Sequence, residues 1–170
     1  MIFYRRWHKT EEGQLIVDDL LLKIPLFGNL IKKKILTEFA RTFGLLIGSG
    51  TLVVESLEQT ADIAGNVHYK NAILDVSKRV EKGIPIADAL SMYSLFPAVL
   101  VQLVQIGEQT GKLDETLLKA SEYFEEEVNQ KVKTLTTAME PFIMIVLGIG
   151  VAFLIISVIM PIYSLTSSIQ

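Results

Sequence analysis

The stretch LDETLLKASEYFEEEVNQKVKTLTTAMEPFIMIVLGIGVAFLIISVIM, residues 113–160, decides how this chain is built. Its first half is crowded with Glu and Lys, whereas no residue from Pro141 to Gln170 carries a charge. Residues 142–160 are broken only by Gly148, Gly150 and Ser157, and these nineteen positions come close to the ~20 needed to cross a hydrocarbon core. Thirteen of them are Leu, Ile, Val or Phe, which favours membrane insertion by about 4–8 kcal/mol. A C-terminal transmembrane helix is expected. Upstream, Leu113, Leu117, Ala120, Phe124, Val128, Val132, Leu135 and Met139 recur at spacings of three and four. That is the inward stripe of one long amphipathic helix running on into the span. Pro141 sits at the join, where it either starts the membrane segment or kinks a continuous rod.

The chain N-terminal to this stretch also has a helical period. After a loop around Pro25 and Gly28, Ile31, Ile35, Phe39, Phe43 and Ile47 recur every four residues, and Gly48 and Gly50 end that helix. A second helix over about 52–64 turns Val53, Leu57 and Ala61 to one side. Gly65 then stops it, and Asn66 is positioned to cap a third helix. This third helix, over about 67–82, carries Ile73, Val76 and Val80 inward with Asp75, Lys78, Arg79 and Glu81 solvated, and it stops at Gly83. Pro85 opens a short fourth helix. Beyond Phe96 and Pro97, AVLVQLVQIGEQ (98–109) is apolar nearly all round, the pattern of a helix buried on several sides, and Gly111 ends it. No stretch shows the sustained alternation of a sheet. The fold class is therefore all-α, an antiparallel bundle of about six helices followed by a C-terminal transmembrane helix.

Composition narrows the function. A net charge of −3 gives no global basic field, so nucleic acid is not an expected partner. The absence of cysteine excludes a disulfide framework and thiolate chemistry. Lys131 and Lys133 precede the span and nothing basic follows it, so the bundle is expected in the cytoplasm and the C-terminus outside. Residues 1–4 are apolar and lead into Arg5, Arg6, Trp7, His8 and Lys9. That order resembles the last turn of an incoming membrane helix with its cytoplasmic basic collar, or else an ordinary flexible N-terminus with a few basic residues, rather than a signal peptide.

Candidate chemistry is sparse. Gly107, Glu108 and Gly111 are expected to bracket a polar turn between two apolar helices, with Glu108 accepting backbone N–H bonds. The chemical alternative makes Glu108 a perturbed acid or cation ligand beside Asp114 or Glu115. Glu125, Glu126 and Glu127 point in different directions on a helix and suit a solvated face better than a metal site. Glu127 and Lys131, one turn apart, form a favourable surface pair worth ~0.2–0.5 kcal/mol. His8 and His68 lack a ligand partner at i+3 or i+4. No phosphate-binding glycine motif and no Ser, His and acid set is present. No catalytic, cofactor-binding or metal-binding residue is assigned, and the chain is not expected to be an enzyme.

Five landmarks carry a resemblance: LLLKIPLFGNLIKKK, EFARTFGLLIGSGTLVVESLEQTADIAGN, KGIPIADAL, FPAVLVQLVQIGEQTGKLDETLLKASEYFEEEV and MEPFIMIVLGIGVAFLIISVIMPIYSL. In this order and spacing they are similar to the F-domain family of inner-membrane platform proteins in type II secretion and type IV pilus assembly. Thr110 stands where the family commonly has Ser. The resemblance implies a non-catalytic platform that contacts the secretion or pilus ATPase, pilin or pseudopilin subunits, other inner-membrane assembly proteins, the lipid bilayer and further copies of itself. It also implies that the chain corresponds to the second cytoplasmic domain and last span of a longer protein. The expected division is a juxtamembrane linker over 1–24, following a missing span, a helical-bundle F domain over 25–139, a transmembrane helix over 140–165 and an external tail over 166–170. Glu108, Gly111, Glu140 and Pro141 are the candidate partner-contact or coupling positions. The rival classes are a subunit of a membrane transporter or channel, and a membrane-tethered enzyme built on Glu108.

Overall fold

The computed structural model describes residues 27–167, with side chains over 28–157. The expected linker over 1–24, with its basic collar and His8, lies outside the described residues, as do 168–170. Six helices follow one another: α1 (Phe27–Gly48), α2 (Val53–Ile63), α3 (Val67–Glu81), α4 (Ile86–Ser91), α5 (Ala98–Thr110) and α6 (Leu113–Ser167). The described residues divide into two compact units, one ending at Val128 and the other beginning at Asn129. The bundle of the first unit consists of α1 to α5 and the opening turns of α6. The second unit contains the remainder of α6, so the last bundle helix and the membrane helix are one element. Pro141 does not interrupt it.

Helix boundaries follow local chemistry. Asn66 has extended backbone geometry, and its side chain accepts from the N–H groups of His68 and Tyr69, satisfying two donors that the first turn of α3 would leave free. Gly50, Gly83 and Gly111 all take positive φ where a helix stops and the chain reverses. Gly28 differs from expectation. It lies inside the first turn of α1 and is buried, whereas Pro25 lies outside the described residues.

The apolar period of α1 places Ile35, Leu36, Phe39, Ala40 and Phe43 in the core, against Leu57 and Ala61 of α2, Ile73 and Val76 of α3, and Leu117 and Phe124 of α6. Helix α1 runs antiparallel to the start of α6. Gly44 approaches Asp114 and Leu117, whereas Lys33 near the other end pairs with Glu127. An aromatic cluster closes the middle of the bundle. Phe96, in the segment between α4 and α5, lies 5.6 Å from Phe39 and meets Tyr69 and Tyr93 edge-on at 6.0 and 6.4 Å. Edge-to-face pairs at such separations add about 0.5–1.5 kcal/mol each beyond area burial.

Two expectations about burial are corrected. Helix α5 buries Leu100, Val104 and Gly107 and partly buries Val99, Val101 and Leu103 against the core, while Ile106, on the remaining face, is 51% exposed. In α6 the inward stripe holds as far as Phe124. Val132 and Met139 are exposed, since no described helix lies over them. Asp75 and Arg79, expected to be solvated, are partly exposed and are also joined to each other. Tyr93 Oη and Arg79 Nε both donate to Asp75 Oδ2, tying α3 to the segment after α4. The bond from Tyr93, and then that from Arg79, hold the Asp75 carboxyl below the usual carboxylate range.

Tyr69 is the most deeply buried of the tyrosines with described side chains, and its hydroxyl donates to Leu95 O. Burial pushes its pKa up to about 12 from 10. The folded state therefore keeps a proton that the unfolded chain gives up, and stability present below pH 10 is expected to fall as the pH rises through 12, by about 1.4 kcal/mol per unit. Urea unfolding at stepped alkaline pH measures this slope. Tyr69→Phe should flatten it, and an unchanged slope would assign the alkaline loss to other groups.

Candidate functional site

Glu108 lies in the last turn of α5, half-buried, and its carboxylate reaches across to another helix. Oε1 accepts from Ile86 N at 2.6 Å and Oε2 from Ala87 N at 2.9 Å. Helix α4 is only six residues long, and its N-cap is Pro85, which offers no side-chain acceptor. Glu108 supplies from outside the helix what a Ser or Asp cap supplies from within. Charge-assisted bonds to free N–H groups are the strong kind. The expectation that Glu108 accepts backbone N–H bonds stands, but its partners lie 21 and 22 residues earlier rather than in its own turn. The capless start at Pro85 is the sequence signal for this contact. A groove lined by Val80, Gly83, Pro85, Asp88, Gln105 and Glu108 runs alongside. Glu108→Gln, which keeps one acceptor and loses the charge, is expected to lower stability by about 1–2 kcal/mol. Denaturant midpoints test this, and an unchanged midpoint would mean that the two bonds are not maintained in solution.

The break between α5 and α6 is narrower than the sequence suggests. Gly107 and Glu108 are helical, and only Gly111 and Lys112 form the turn. Gly111 is left-handed (φ 69°, ψ 19°), and its N–H and that of Lys112 both point to Gly107 O. This arrangement satisfies a carbonyl that the end of α5 would otherwise leave free. Gly107 has a separate role in packing. A Cβ there would stand 2.2 Å from Thr116 Oγ1 and 2.8 Å from Leu113 Cα. On the facing side, a Cβ on Gly44 would stand 3.1 Å from Leu117 Cβ and 3.3 Å from Asp114 O. The first turns of α6 are thus held between α1 and α5, with a glycine at each closest approach.

Two acids of the Glu125–Glu127 run are engaged with α1. Arg41 donates to Glu125 at 2.6 Å and Lys33 pairs with Glu127. The expected Glu127–Lys131 pair gives way to the contact with Lys33, because the antiparallel α1 presents a cation directly opposite. Partly exposed pairs of this kind contribute about 0–1 kcal/mol and mainly set register. Farther along α6, Glu140 and Pro141 are exposed. Among the described residues, one helix is long and apolar enough to cross a membrane. It is α6, with a mean hydropathy of 2.4 over its apolar window.

A helical bundle whose last helix continues into an apolar segment of membrane length defines a membrane-anchored scaffold. The chain matches the family described as type II secretion system (T2SS), protein F, over residues 39–161. It is 38% identical over 163 residues to the type IV pilus assembly protein PilC of Pseudomonas aeruginosa, covering 95% of this chain and 44% of that protein. It is 34% identical over 168 residues to PilC of Thermus thermophilus, covering 98% of this chain and 41% of that one. The type II secretion system protein F of Pseudomonas aeruginosa is 27% identical over 163 residues, covering 96% of this chain and 38% of its own length. The chain belongs to the type II secretion system protein F family. It spans less than half the length of these relatives. It is an inner-membrane protein anchored by α6, with its bundle on the cytoplasmic side.

Proposed function

We propose that this chain is a non-catalytic platform that links the cytoplasmic secretion or pilus ATPase to the assembly of pilin or pseudopilin filaments. The observation that carries the reading is the continuity of α6 in a chain of this family. One hydrogen-bonded helix contains both the Leu113–Phe124 face buried in the bundle and the apolar stretch of membrane length. A continuous helix resists bending where a loop does not, so a push or rotation applied to the bundle can be passed along it. Glu108 ties the end of α5 to the start of α4, and Gly111 forms the turn from which α6 starts. Glu140 and Pro141 stand at the mouth of the span, where a carboxylate either stays in the interface or bonds to a neighbouring helix. In this reading residues 25–139 form the cytoplasmic domain and 140–165 the span. The partners are the ATPase, pilin or pseudopilin, other inner-membrane assembly proteins, lipid and further copies of the chain.

Inserting Gly-Gly-Ser beside Lys133 tests the coupling, because it breaks the helix outside both the packed bundle and the apolar segment. Filament assembly is expected to be lost while membrane insertion and ATPase pulldown persist. Normal filaments from that variant would reject the mechanical link, and loss of the pulldown from the parent chain would reject the platform itself.

A further inference from the structure

Residues 129–140 of α6, NQKVKTLTTAME, are polar enough to lie in water, yet Val132 and Met139 are 45% and 51% exposed on one face. Val132, Leu135 and Met139 are spaced by three and then four, and the same alternation continues through Phe142, Val146 and Ile149 to Ile156. A strict three-four alternation keeps one seam of a slightly underwound helix turned toward a parallel neighbour. The face that α6 buries in its own bundle, Leu113, Leu117, Ala120 and Phe124, has the same spacing, so after Val128, where the bundle unit ends, the helix carries on a packing face that no described helix covers.

We propose that this seam is where α6 of a second copy packs, as a parallel pair that begins in water at Val132 and continues through the bilayer. The proposal rests on the homo-oligomer part of the reading above and extends it by assigning the surface. Insertion fixes the direction and depth of every copy alike, so each seam residue meets its own counterpart in a two-fold contact. The charges permit this. In the aqueous part only Lys131 flanks the seam, and the position facing it in a parallel pair is Thr136, so no like charges meet, while Lys133 and Glu140 fall off the seam. Thr136, Ala138, Gly150 and Ala152 lie beside the seam and are small enough for close approach. Two seams from Val132 to Ile156, at roughly 60–90 Å² per side chain, bury on the order of 1,000 Å² or more, the size a specific interface requires. The driving force differs along the seam. Apolar burial acts in the aqueous part, whereas dispersion and shape act within lipid, where exclusion from water no longer favours association.

The chain has no cysteine, so single thiols report without background. Val132→Cys, Leu135→Cys and Met139→Cys are compared with Thr134→Cys and Thr137→Cys, on the other side of the helix, by mild oxidation of the full chain in native membranes. Seam thiols are expected to give a disulfide-linked dimer in at least about five-fold higher yield than the off-seam pair, because only there do opposed Cβ atoms come within bridging distance. Adding Leu135→Lys to Met139→Cys should cut that yield several-fold. Equal yields around the helix would overturn the proposal. So would seam thiols that are shielded from a soluble maleimide yet never dimerise, since another segment or another protein would then occupy the face. Because crosslinking is scored on membrane-inserted chain whether or not filaments form, its failure is distinguishable from failure of the platform reading.

Discussion

Replacing Phe96 by alanine is expected to cost the bundle about 3–5 kcal/mol, a large share of the stability of a domain this size. Phe96 is 5% exposed and the ring most widely shared in the core, touching Phe39 of α1, Tyr69 of α3 and Tyr93 next to α4. Its removal takes away the transfer free energy of the ring and three aromatic contacts, and it leaves a cavity that helices fixed by their own hydrogen bonds cannot collapse to fill. Urea unfolding in detergent, followed by loss of protease resistance of the bundle, measures it. Phe96→Leu should recover more than half of the loss. A loss below ~1 kcal/mol would mean that the segment between α4 and α5 closes over the gap, and that Phe96 covers the core rather than joining its parts.

Gly107→Ala is expected to destabilise by about 3 kcal/mol through the opposite fault, excess volume. The added methyl would meet Thr116 Oγ1, which rotation can relieve, and Leu113 Cα, which only movement of α6 can relieve. The start of α6 would have to shift away from α5 toward Gly44, where no slack exists. Gly111→Ala provides the comparison. A methyl on Gly111 would meet no atom within 4 Å, so the replacement is strained only through its left-handed backbone and should cost about 1 kcal/mol. Equal effects at the two positions would show that turn geometry, rather than close helix packing, limits the junction. If the platform reading is right, Gly107→Ala should also impair filament assembly more than its stability loss alone predicts, because it moves the helix that leads to the span.

Residue order is enough to establish that the chain is helical throughout its bundle, where its helices begin and end to within a residue or two except at the start of α1 and the break before α6, and that its last segment suits a bilayer. Each of these is a local matter. The spacing of apolar residues along α1 and α3, the positive φ that Gly83 and Gly111 supply, the cap at Asn66 and the uncharged run after Glu140 all act within a few residues of where they stand. Which acid meets which donor emerges only once the helices are packed. Glu108 caps α4 rather than its own turn, Glu127 takes Lys33 rather than Lys131, and Gly107 serves a helix contact rather than a break. The reason is that a carboxylate or a missing Cβ responds to whatever lies within a few ångströms of it, and in an antiparallel bundle that neighbour is set by the way the chain doubles back, across a turn for Gly107 and at separations of 21 to 94 residues for the two carboxylates, which no local period encodes.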